Sequence, residues 1–148
     1  MNITKFLNKV YFAPRLKEIE QYTSHAGELQ QLVLQRLVRT AANTEWGKKH
    51  DYASIRTYED FKKRLPIQTY EEVKPYVTRL RAGEQNLLWP SEIRWFAKSS
   101  GTTNDKSKFL PVSRESLHDT HYKGGRDAVA IYLGPVSYTH LRAHETDQ

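Results

Sequence analysis

Apolar residues recur at helical spacing through the first third of the chain. Ile3, Phe6, Leu7, Val10 and Tyr11 follow the i, i+3, i+4, i+7, i+8 rhythm of one helix face. Lys5 and Lys9 lie off that stripe, and the polar side is short and only mildly basic. That favours a helix docked on the domain over one lying on a membrane surface. Pro14 is expected to interrupt this helix, with a second short helix over 15–22. The clearest helical pattern covers 26–42. There Leu29, Leu32, Val33, Leu37 and Ala41 share a face, and Ser24 is placed to cap the start. Trp46-Gly47 reads as a packed turn, with the Trp as a core anchor.

Further on, start and stop signals alternate. Thr57 with Asp60, and Thr69 with Glu72, have capping-box spacing. Phe61 and Leu65 give the first of these helices an inner face, and Pro66 stops it. Pro75 predicts a fresh helix start, Tyr76, Val77 and Leu80 point inward, and Gly83 ends the element. The Tyr, Glu and Lys residues of this region have the spacing of scaffold, not of catalysis. An apolar connection, Leu87-Leu88-Trp89-Pro90, leads into a strand expected over 93–97. Ser113 is placed to cap a long helix to about Tyr132, with Leu117, His121, Gly124, Ala128 and Ile131 along one face. Gly124 and Gly125 cost that helix about 1 kcal/mol each relative to Ala, which predicts close approach of another backbone. His118 and His121 have a spacing seen among metal ligands, but no HExxH arrangement accompanies them. They are read as structural, and no metal site is assigned.

The candidate chemistry lies between two short apolar runs, Trp95-Phe96-Ala97 and Phe109-Leu110-Pro111-Val112. Between them stands Ser99-Ser100-Gly101-Thr102-Thr103, followed by Lys108. Small residues let backbone approach a ligand, and Gly101 can adopt a positive φ. Successive amides in such a turn can cradle an anion. The hydroxyls add donors, and Lys108 adds a full charge. A polar hairpin turn fits the same residues, so residue types alone leave both readings open. A Walker A loop is excluded, because Lys108 is followed by Phe109 and not by Ser or Thr. There is no GxGxxG.

Composition narrows the setting. The chain of 148 residues carries a net charge of +6, but basic and acidic residues interleave. No nucleic-acid motif is present, so a basic nucleic-acid-binding domain is the weaker alternative. Without cysteine there is no thiolate or disulfide chemistry. No apolar run reaches the length of a membrane span and no secretory leader is evident, so a cytoplasmic protein without a membrane partner is expected.

The loop resembles the phosphate-binding loop of adenylate-forming enzymes. With its flanks, FKKRLPIQTYEEVKPYVTRLRAGEQNLLWP before it and KFLPVS after it, the sequence resembles the auxin-responsive-promoter (Gretchen Hagen-three) family of acyl acid–amido synthetases. It looks closer to bacterial members. Asn104-Asp105-Lys106-Ser107 stands where the plant pattern has a Gly- and Pro-containing segment. The resemblance implies an α/β fold: a helix-rich N-terminal fragment of the large domain over 1–135, with one β-hairpin from an incomplete sheet whose edge is left unpaired. It also implies ATP and Mg²⁺ as cofactors, and a small-molecule carboxylic acid and an amine as substrates. By carry-over, Ser99, Ser100, Gly101, Thr102, Thr103 and Lys108 contact the nucleotide phosphates. A phosphate-binding module without catalysis is the alternative. Members of the family are several times longer, and the acyl pocket and second domain lie downstream. The remaining residues, 136–148, include VSYTHLRAHET, which is one reading frame of a transposase-type sequencing adapter. They are expected to be non-native.

Overall fold

Capping residues set where most of the helices begin. The computed structural model describes residues 8–99 and 107–132. A π-helical turn, Asn8–Phe12, runs into α1 (Ala13–Ser24), followed by α2 (Ala26–Ala41) and α3 (Glu45–Lys49). A 3₁₀ turn at Tyr52–Ser54 leads to α4 (Tyr58–Arg64) and α5 (Tyr70–Arg81). A two-stranded antiparallel hairpin follows, β1 (Trp95–Lys98) with β2 (Phe109–Val112). The last helix, α6, starts at Arg114, passes through a π-helical stretch over Leu117–Tyr122 and stays helical through 123–132. The helix-rich α/β class with one hairpin is as expected.

Thr57 opens α4 with a reciprocal box. Its hydroxyl accepts from the Asp60 N–H at 3.2 Å, and the Asp60 carboxylate accepts from the Thr57 N–H at 2.9 Å. At α5 the Glu72 carboxylate accepts from the Thr69 N–H at 2.6 Å. Hydrogen bonds to the Arg56 and Thr57 groups hold Asp60, and those to Thr69 hold Glu72, below the ordinary carboxylate range. Ser113 caps α6, accepting from the Ser116 N–H at 3.0 Å. Gly83 ends α5 at φ +98°, and the N–H groups of Gly83 and Glu84 return to the carbonyls of Leu80 and Arg79.

Several expectations need correction. Pro14 sits in the first turn of α1, where a missing N–H costs nothing, and does not separate two helices. Pro75 lies inside α5. The reciprocal cap before it, and burial of Val77 and Leu80 after it, carry the helix through a site that costs about 3 kcal/mol. Ser24 belongs to the last turn of α1, and its hydroxyl donates to the Gln21 carbonyl instead of capping α2. Trp46 and Gly47 lie in α3, with Trp46 buried as anticipated. The first strand starts at Trp95, two residues later than expected. A Cβ on Gly124 or Gly125 would meet nothing within 4 Å, so no backbone approach explains that pair. The face of α2 is also rotated. Val38 and Ala41 are buried, whereas Leu32, Val33 and Leu37 are 62%, 46% and 43% exposed. The side amides of Gln31 and Gln35 both donate to the Arg56 carbonyl, at 2.6 and 3.2 Å, and turn that side of the helix inward.

The chain divides into two compact units. One comprises residues 30–117 and the other residues 1–29 with 118–148. In the first, the turn between α2 and α3 is the tightest point. Thr44 is fully buried. Its hydroxyl donates to the Ala41 carbonyl at 2.7 Å and accepts from the Gly47 N–H at 2.9 Å. The N–H groups of Glu45 and Trp46 donate to the carbonyls of Asn86 and Leu87 at 3.1 and 2.9 Å. Each donor that a helix start leaves without an intrahelical partner therefore has one. Leu87 enters a buried cluster with Leu80 and Ile93, flanked by Tyr76, Leu88, Trp89 and Phe96. Each such burial is worth about 2 kcal/mol. Gln85 pairs with both backbone groups of Ile93, and Glu115 accepts from Ser91 and from the Trp89 indole, so the route from α5 to β1 is braced.

In the other unit, Arg15 is 5% exposed and forks onto Asp127, Nε to Oδ1 and Nη2 to Oδ2, both at 2.7 Å. Its remaining donors reach Glu18 and, at 3.1 Å, the Tyr22 hydroxyl. A buried guanidinium needs that degree of satisfaction.

Two glycines should respond differently to Ala. At Gly47 the new Cβ would stand 2.0 Å from the Ala41 carbonyl oxygen, so the Gly47→Ala chain should lose at least ~3 kcal/mol. At Gly83 nothing lies within 4 Å, and only the left-handed backbone objects, at a cost of about 1 kcal/mol. Urea unfolding of the two variants checks that order. A second prediction concerns acid. The hydrogen bonds from Arg15 hold the Asp127 carboxyl below its ordinary range. The contribution of this pair is therefore whole above the unfolded value and lost as pH falls through the lower folded value. The stability difference between the native chain and Asp127→Asn, measured by urea midpoint, should be level above about pH 6 and shrink below about pH 4.

Candidate phosphate-binding site

The hairpin carries two of the candidate residues, Ser99 and Lys108, at its neck. Its register pairs Trp95 with Val112, Phe96 with Pro111, Ala97 with Leu110 and Lys98 with Phe109. One step beyond, Ser99 and Lys108 close the neck. The Ser99 N–H donates to the Lys108 carbonyl at 2.9 Å, and the Lys108 N–H donates to the Ser99 hydroxyl at 3.0 Å. Ser99 thus spends its oxygen on the hairpin and keeps its own proton to donate. Ser100, Gly101, Thr102 and Thr103 lie outside the described residues.

Phe96 packs on the buried cluster of Leu80, Leu87 and Ile93, which seats β1 on the core. β2 is held from α5. The Tyr70 hydroxyl accepts from the Phe109 N–H at 3.0 Å and donates to the Phe109 carbonyl at 3.3 Å. The Lys108 ammonium lies 5.8 Å from the centre of the Tyr70 ring, and the Arg81 guanidinium lies 3.9 Å from that of Phe109. Arg81, Lys108 and the exposed Lys98 give the neck a cationic character suited to an anion. Tyr70 and Arg81 were invisible to pattern reading, which placed the Tyr residues of this region in scaffold. A contact between residues 39 positions apart leaves no trace in local spacing.

The helix α5 that carries Tyr70 and Arg81 is itself tied down. Arg79 forks onto Glu45 at 2.8 and 2.6 Å and also pairs with Glu84. Arg79 is the first cause holding both carboxyls below their ordinary range. Among the described residues, no group of three His, Cys, Asp or Glu side chains could hold a metal ion. His118 and His121 instead meet Tyr122 edge-on. Among the same residues, no helix is long and apolar enough to cross a membrane.

The chain belongs to the GH3 family: residues 15–141 match the GH3 family N-terminal domain. It is 33% identical over 104 residues to indole-3-acetic acid-amido synthetase GH3.5 of Arabidopsis thaliana, covering 70% of this chain and 17% of that one. It is 32% identical over 110 residues to jasmonoyl–L-amino acid synthetase JAR4 of Nicotiana attenuata, covering 71% of this chain and 18% of the relative. A solved structure, GH3.15 acyl acid amido synthetase, superposes with a TM-score of 0.70 at 25% identity, over 79% of this chain and 21% of its own. This chain therefore spans about a fifth of the length of the proteins it matches.

If Ser99 closes the neck, Ser99→Ala leaves the Lys108 N–H without its acceptor. Amide exchange at Lys108 should then speed up by roughly ten-fold, the equivalent of one hydrogen bond, while exchange in α5 stays put.

Proposed function

We propose that this chain is the N-terminal part of an ATP-dependent ligase that joins a carboxylic acid to an amine, commonly an amino acid, through an acyl-adenylate. The carboxylate oxygen attacks the α-phosphate of ATP, the bond to the β-phosphate breaks, and pyrophosphate leaves. The amine then attacks the acyl carbon, AMP departs, and an amide remains. The observation that carries this reading is a run of hydroxyl residues and glycine in the sequence between Ser99 and Lys108, which close the neck of a hairpin, in a chain of a family whose named relatives are amido synthetases.

In this scheme Ser100, Gly101, Thr102 and Thr103 orient the phosphates through amides and hydroxyls, and Ser99, whose amide is bound to the Lys108 carbonyl, through its hydroxyl proton. Lys108 offsets their charge as it shifts onto the leaving group. The described residues offer no carboxylate cluster for an ion, so Mg²⁺ would arrive on the phosphates of the nucleotide, as it does in many phosphate sites. The acid is of the class represented by indole-3-acetate and jasmonate. A bacterial-type member acting in the cytoplasm, with a native segment over 1–135 and adapter-derived residues after it, completes the proposal. The chain by itself should not turn over.

The test uses the complete polypeptide carrying this segment. Acid-dependent exchange of labelled pyrophosphate into ATP should fall at least ~100-fold in the Ser100→Ala, Thr102→Ala double variant, with an unchanged thermal midpoint. Full exchange in that variant refutes the assignment.

A further inference from the structure

The Tyr70 hydroxyl does two jobs at one backbone position. It accepts from the N–H of Phe109 and donates to the carbonyl of the same residue, at 3.0 and 3.3 Å. Those groups face away from β1: the Ser99 and Lys108 backbones bond across the ladder, so the next pair, Lys98 with Phe109, does not. One side chain thus takes the place of a neighbouring strand. The same ring lies beside the Lys108 ammonium, centre to Nζ 5.8 Å, which is within range of a cation–π attraction. Arg81, three turns along the same helix, covers the Phe109 ring. α5 therefore grips β2 by backbone and by ring, immediately beside the only lysine assigned to the phosphates.

Its own support is firm. Val77 and Leu80 are buried in the core, and Arg79 holds Glu45 and Glu84. The chain of contacts from the core to Lys108 runs through rigid elements, except at the Tyr70 hydroxyl, where two neutral hydrogen bonds fix the strand. Displacing a charged group by about 1 Å from its productive place can cost two orders of magnitude in an active site.

From this geometry we infer that Tyr70 is a positioning residue for nucleotide binding: it sets Lys108 at the neck of the hairpin and so tunes affinity for the polyphosphate. The inference rests on the adenylating reading. Tyr70 itself need not touch nucleotide. It acts through Lys108 and on the phosphates alone, so adenosine, which has none, should not sense its loss.

Calorimetric titration of the complete polypeptide with MgATP and with adenosine tests this. Tyr70→Phe keeps the ring beside Lys108 and removes only the hydroxyl, and Tyr70→Leu removes both. For Tyr70→Phe, affinity for MgATP should weaken on the order of ten-fold, part of what its two neutral hydrogen bonds contribute to holding the strand. Adenosine affinity should stay within about two-fold, and Tyr70→Leu should lose more MgATP affinity than Tyr70→Phe. Amide exchange at Phe109 in this 148-residue chain should accelerate in both variants. Unchanged MgATP affinity overturns the inference, and so does a parallel loss of ATP and adenosine binding with a lowered thermal midpoint, which would mark Tyr70 as purely structural. If the unaltered polypeptide binds no MgATP, the adenylating reading fails and the role of Tyr70 in it fails too. The Phe109 exchange, which needs no nucleotide, separates that failure from a hydroxyl that never held the strand.

Discussion

The first turn of α3 is the joint on which the 30–117 unit depends. Three N–H groups at a helix start normally look to water or to a cap. Here Thr44 takes one, and the carbonyls of Asn86 and Leu87 take two, from a segment four decades of residues away. A buried donor without a partner costs about 1–3 kcal/mol, so the fit between the two segments is demanding. It places Leu87 where Leu80 and Ile93 can close over it, and the same turn leaves no room for a Cβ at position 47, which would meet the Ala41 carbonyl. β1, which follows Leu87, is seated on the same cluster through Phe96.

Local chemistry was readable wherever it was sufficient. Thr57, Thr69, Ser113 and Gly83 act within their own turn, and their spacing showed it. Part of what pattern could not show was decided by partners distant in the chain. The apolar stripe of α2 was misjudged because two Gln amides found the Arg56 carbonyl. Hydrophobic periodicity assumes that polar residues face water, and a satisfied amide breaks that assumption. Pro75 was misplaced for a similar reason: a helix anchored at both ends can carry a break that an isolated helix cannot.

The candidate site divides the same way. Its residue types fit an anion cradle and a polar hairpin turn alike, and Lys108 closes the neck with Ser99. The devices that hold the neck of the hairpin are not legible in the sequence, because Tyr70 and Arg81 approach Phe109 from another element. The hairpin also carries apolar side chains on both faces. Trp95 and Leu110 remain about half exposed on the side away from the core. Strands of that composition belong to sheets covered on both sides, in keeping with a chain that covers a fifth of its relatives.

The way Tyr70 meets Phe109 gives the sheet a direction. The outward amide of β2 at Phe109 is occupied by a phenol, and Pro111, at the next outward-facing position, has no amide hydrogen to offer. β2 thereby offers no free amide hydrogen at either of its outward-facing positions. Among the described residues nothing pairs with the far side of β1. A newly arriving strand would have to dock there, so this hairpin can seed a wider sheet on one flank only.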